Sequence, residues 1–164
     1  MADRTPRRWR GFLVVQLALL TVQLPLGMAV NFWVALSADH PGARNPNYFV
    51  GLVRGVSWAF LHGWPLLSLH ITIAALLWLI SIWFAIAALR GAPRRLGLLT
   101  IVAWSGLTGA AFNGGSFLNY GHDFSSLIMT LGWMLATASY AIAWAAPASG
   151  GPAVPGARPP ADGG

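Results

Sequence analysis

Four histidines are the side chains through which this chain could do chemistry: His40, His62, His70 and His122. Imidazole serves both as an acid–base group and as a metal ligand. His70 lies inside an apolar run, and a histidine within a membrane span is a functional-site candidate by default. Ala74, Leu77, Ser81 and Ala88 fall within about 40° of it on a helical wheel, a mostly small or polar face suited to a bundle interior. On a later apolar run Met129 shares a similar face with Ser125, Gly132, Ala136 and Ala143. His70 and Met129 are expected at similar depths, and imidazole with thioether could hold a haem iron, as in haem b, or a copper ion. His62 stands about 80° round the helix from His70, so the two do not form a simple chelating pair. The plainer reading carries more weight. A lone buried histidine more often hydrogen-bonds a neighbouring Ser, Asn or carbonyl, and Met129 more often fills a gap than ligates. His40 and His122 read as solvated loop residues.

The second group of interest is the stretch from Ala103 to Thr130. Asn113, Ser116, Asn119 and Asp123 would line a polar pocket on one face of the molecule, or simply satisfy the backbone of a turn and cap the helix that follows. Ser105 to Gly109 and Ala110 to Gly114, with Gly106 between them, are spacings of small residues that let helices approach closely. They serve intramolecular packing and dimerisation equally well.

What must position these groups is a set of membrane spans. The chain is 164 residues long, 56% apolar and 9% charged, with no cysteine. Soluble domains carry about 25% charged residues, so lipid is the expected solvent. Disulfides and thiolate chemistry are excluded. Charge-free stretches predict spans at about 11–36, 65–89, 96–112 and 125–145. The first is too long for a secretory signal. Its Gln16, Gln23 and Gly27 share a stripe that should face protein. Residues 37–60 form an outer loop, with a short helix in the headgroup region from about Asn47 onward. An outer turn is expected over 113–124. Residues 1–10 are a basic N-terminus, and the Pro- and Gly-rich 147–164 a disordered tail.

Eight of the ten arginines flank one side of these spans, leaving Arg44 and Arg54 on the other. That asymmetry puts both termini in the cytoplasm, and heavy use of Ala, Gly, Pro and Arg without Lys points to a GC-rich bacterial genome and hence to a bacterial cytoplasmic (plasma) membrane. The net charge of +6 is thereby explained by topology, without nucleic acid. No span contains Asp, Glu or Arg, and no phosphate-binding Gly loop, HExxH or GxSxG occurs. Ion relays, nucleotide chemistry and hydrolysis lack their usual parts.

Through FNGGSFLNYGHDFSSLIM, HPGARNPNYF and HGWPLLSLH, the chain resembles a group of uncharacterised small four-span membrane proteins of high-GC bacteria. This likeness implies a topology and no activity. The layout is also similar to one four-helix half of the haem A synthase type, which holds haem through histidines of its second and fourth helices. His70, or His62, would match the first. The fourth span here has no histidine, which leaves Met129 or His122 as the second ligand. The expected fold is all-α, an integral membrane antiparallel four-helix bundle. Three functions remain open. The first is a non-catalytic accessory or scaffold subunit that binds a membrane protein partner or a second copy. The others are a haem- or metal-binding electron-transfer protein and a small-molecule carrier.

Overall fold

The computed structural model describes residues 5–36, 39–146 and 148–149, without the side chains of Thr5, Pro6, Asp123, Ala148 and Ser149. The first four residues of the basic N-terminus, and nearly all of the tail expected from Pro147, lie outside the described residues. Five helices follow in order: α1 (Arg7–Trp33), α2 (Tyr48–His62), α3 (Pro65–Gly91), α4 (Arg94–Tyr120) and α5 (Asp123–Ala145). Thr5–Pro6 pairs in parallel with Ala148–Ser149, bringing both ends of the chain to one face. The helices α1, α3, α4 and α5 are each long and apolar enough to cross a membrane. The protein is an all-α, multi-pass membrane bundle.

Each span is apolar on nearly every side, so lipid and neighbouring helices are equally good surroundings for its aliphatic residues. The order of packing is then set by size and by polar groups. α1 packs on α3 and α5, and α4 packs on the same two. This gives a ring of four helices in which every neighbour runs antiparallel. The core fills the half of the ring nearest the chain ends, where Leu13, Leu20, Leu77, Phe84, Ala103 and Tyr140 are buried together. Phe84 stacks on Phe12 and Tyr140 at centroid distances of 5.6 and 6.1 Å.

Polar groups inside the spans form hydrogen bonds of two kinds. Thr21, Thr72, Thr108, Thr130 and Thr137 each donate to the carbonyl four residues back. This keeps the hydroxyl out of hydrocarbon at little cost. Others bond between helices. Trp78 Nε1 donates to Thr108 Oγ1 at 2.9 Å, and Trp133 Nε1 to the Leu20 carbonyl at 2.9 Å. The Ser81 and Tyr140 hydroxyls share a 2.6 Å bond across the middle of the ring.

On the terminal face, Arg8 Nη2 donates to the Gly91 carbonyl and Arg10 Nη2 to the Ala146 carbonyl, both at 2.7 Å. Each guanidinium sits at the C-terminal end of a helix, where carbonyls lack intrahelical partners and the dipole favours a cation.

The third span differs most from expectation. α4 runs on to Tyr120 instead of ending at Phe112. The polar residues expected to form an outer turn over 113–124 are helical as far as Tyr120. Asn113 is accommodated because its Nδ2 donates to the Gly109 carbonyl one turn back, at 2.9 Å. The helix stops only at Gly121, whose φ of 66° lies in the left-handed region that glycine adopts freely.

Candidate functional site

His70 faces α1. Gln23 Nε2 lies 3.1 Å from its Nδ1 and donates to its backbone carbonyl at 3.2 Å. A Cβ on Gly27 would stand 3.0 Å from His70 Cε1. Gly27 is therefore the seat that lets the imidazole lie against α1, and Gln23 is the clamp. The stripe of Gln16, Gln23 and Gly27 faces protein as its wheel positions require. Met129 is engaged elsewhere. Its sulfur packs on α4, 3.3 Å from where a Cβ on Gly114 would be. The structure thus commits the imidazole to α1 and the thioether to α4. Among the described residues, no group of three His, Cys, Asp or Glu side chains converges as a metal site.

The loop face holds a second, denser cluster. Helix α2 starts at Asn47, whose side chain accepts from the Val50 amide at 3.1 Å. Gly51, Gly55 and Ala59 form its buried face. This spacing of four places three small residues in one line, and the preceding loop runs directly beneath it. A Cβ on Gly42 would meet the Gly51 carbonyl oxygen and the Gly55 nitrogen at 2.5 Å each. Leu52 and Val56 ride on α4 at Gly115. Asn119 is 4% exposed and its amide is wedged between α4 and α2 against Gly55. Neither of its side-chain polar atoms has a hydrogen-bond partner among the described residues. Its backbone carbonyl accepts from the Arg44 amide at 3.2 Å.

His40 is built into this cluster. The expectation of a solvated loop residue is corrected: it is buried, and stacks on Trp58 at 5.2 Å. The Gly42 amide donates to its Nδ1 at 3.2 Å, and its Nε2 donates to the Leu118 carbonyl at 3.1 Å. Nδ1 must therefore carry the lone pair and Nε2 the proton, which defines one neutral tautomer. Both ring nitrogens are used, so His40 is a strut between the loop and the end of α4. His62 is exposed and extends the stack, 6.5 Å from Trp58. His122 is exposed beside Tyr120 at 6.0 Å. Tyr48 donates to the Phe112 carbonyl and Tyr120 to the Asn45 carbonyl, at 2.9 and 3.0 Å. Burial, and then the neighbouring Tyr120, push the Tyr48 phenol above its ordinary value. It thus stays a donor. A shallow, open hollow of about 440 Å³ lies beside the cluster, lined by Asp39, His40, Pro41, Ala43 and Arg44.

The expected outer pocket is not gathered at one point. Asn113 is bonded within α4, Ser116 is half-buried on the same helix, and Asn119 is turned to α2. The side chain of Asp123 lies outside the described residues.

The small residues of α4 divide between two faces. Gly106, Ala110 and Gly114 face α5. A Cβ on Gly106 would stand 2.6 Å from the Gly132 carbonyl oxygen, and one on Gly132 would be 3.2 Å from the Ala110 Cβ. Ser105 and Gly109 lie on another side. Ser105 is exposed, and a Cβ on Gly109 would meet nothing within 4 Å. Leu98 and Val102, two turns and one turn before Ser105, are exposed on this same side. Asn113, one turn beyond Gly109, continues it.

The glycines of the loop and α2 were not singled out by sequence reasoning. Their signal was the spacing of four from Gly51 to Ala59. No protein family, no curated protein and no solved structure matches the chain.

Proposed function

We propose that this chain is a non-catalytic accessory or scaffold subunit of a bacterial cytoplasmic membrane that binds a partner's membrane helix on the outward face of α4. One observation carries the reading. Within an apolar span, Ser105, Gly109 and Asn113 lie on a side where no described residue comes within 4 Å of a Cβ placed on Gly109. Lipid gives no reason for small and polar residues there. A second helix does, because it can approach the glycine backbone closely and exchange hydrogen bonds with serine and asparagine. The interhelical bonds of Trp78, Ser81, Trp133 and Tyr140 fit the same role, since they fix a rigid support. The arginine asymmetry supports placing both termini in the cytoplasm.

The test is site-specific photocrosslinking in native membranes, with the probe at position 105 and a control probe at the exposed Leu79 on α3. A discrete adduct is expected from 105 alone. Gly109→Leu should abolish it while changing the stability of the isolated chain by no more than about 0.5 kcal/mol, because the new side chain meets open space. Equal labelling from both positions, or none from 105, would count against a partner on this face.

A further inference from the structure

The centre of the ring contains an imbalance of donors and acceptors. Gln16 is 0% exposed, and its Oε1 has no hydrogen-bond partner among the described residues. Its Nε2 reaches toward the Leu77 carbonyl at 3.5 Å. Ser81 is one turn beyond Leu77 on the same helix, and its hydroxyl is paired with Tyr140 at 2.6 Å. Two hydroxyl hydrogens are present in that pair, and the shared bond uses one. One spare hydrogen therefore needs an acceptor, and on α1, whose Gln16 reaches α3 one turn before Ser81, a buried amide oxygen needs a donor. All three side chains are fully buried.

We infer that a single bound water joins Gln16 Oε1 to the Ser81–Tyr140 pair at the centre of the bundle. Water both accepts and donates, so one molecule corrects both defects. It takes the spare hydroxyl hydrogen on a lone pair and gives one of its own to Gln16 Oε1. Its second hydrogen is left for a backbone carbonyl of α3. Three such bonds are the usual complement of a buried water. An unpaired amide oxygen in a dry, apolar core is costly, and the bond to water removes that cost. This water lies at the meeting of α1, α3 and α5. It sets the register of α1 against the other two, and is independent of the outward face of α4.

The test compares Gln16→Met, Tyr140→Phe and the double variant in the full chain, purified in lipid nanodiscs. Methionine matches the length of glutamine without its polar atoms. With a bridging water, Gln16→Met lowers Tm, and the two changes together cost less than their sum, because each already breaks the same bridge. A rise in Tm with Gln16→Met, together with additive effects, would overturn the inference, since it would mean a dry orphan had been removed. The unmodified chain gives a second reading that does not depend on a variant folding. In water-edited solid-state NMR, the Gln16 side-chain amide should receive magnetisation well before the methyl groups of Leu13 and Leu20. Build-up at one common rate would exclude a water at this position.

Discussion

Gly132→Leu is expected to lower the stability of the bundle by about 3 kcal/mol, the upper end of the usual cost of overpacking, and to do so through backbone collision. A Cβ at this position runs into the carbonyl oxygen of Gly106, and the reciprocal Cβ on Gly106 would stand 2.6 Å from the Gly132 carbonyl. Neither obstacle is a side chain that can rotate aside. The two helices must separate, and Met129 then loses its seat on Gly114. Gly106→Leu should be equally damaging. Gly109→Leu, three residues away on the same helix, should be nearly silent. Unfolding of the purified variants in mixed micelles, followed by circular dichroism, checks the contrast. Similar losses for Gly106→Leu and Gly109→Leu would contradict the packing described for α4 and α5.

The second large effect is local. Gly42→Val should unseat α2 while sparing the four spans. A Cβ on Gly42 meets only backbone: the Gly51 oxygen, the Gly55 nitrogen and, at 2.6 Å, the Gly55 Cα. Helix and loop cannot both keep their places. The core lies in the opposite half of the ring and shares none of these residues, so the global transition should hardly move. An overpacking cost of about 2 kcal/mol would raise hydrogen exchange of the α2 amides about 30-fold. It should also open the bond after Arg54 to trypsin. Unchanged exchange over α2 would mean that the loop does not hold the helix down.

Much of this architecture was legible because lipid is a demanding solvent. Four long apolar runs between clustered arginines leave few alternatives to four spans. Gln16, Gln23 and Gly27 could be assigned to a protein-facing side because glutamine has no place among acyl chains. What could not be read was which neighbour each face meets. His70 and Met129 were matched by depth, but the ring order that turns one toward α1 and the other toward α4 is a property of all four helices together. The register of the small residues on α4 was hidden for a similar reason. Positions 105 and 109 satisfy the same spacing rule as 106 and 110, and only the location of Gly132 distinguishes them. The turn expected from Asn113 onward reflected an average preference of asparagine and glycine. That preference gave way once Asn113 bonded to its own helix, and only Gly121 required a conformation other residues avoid.

Arg10 and the carbonyl it holds, on Ala146, are 136 residues apart in the chain. A ribosome must therefore add 136 residues after Arg10 before that guanidinium finds its partner. Arg8 meets the Gly91 carbonyl much earlier, so α1 is first tied to α3, and α5 adds the second lock.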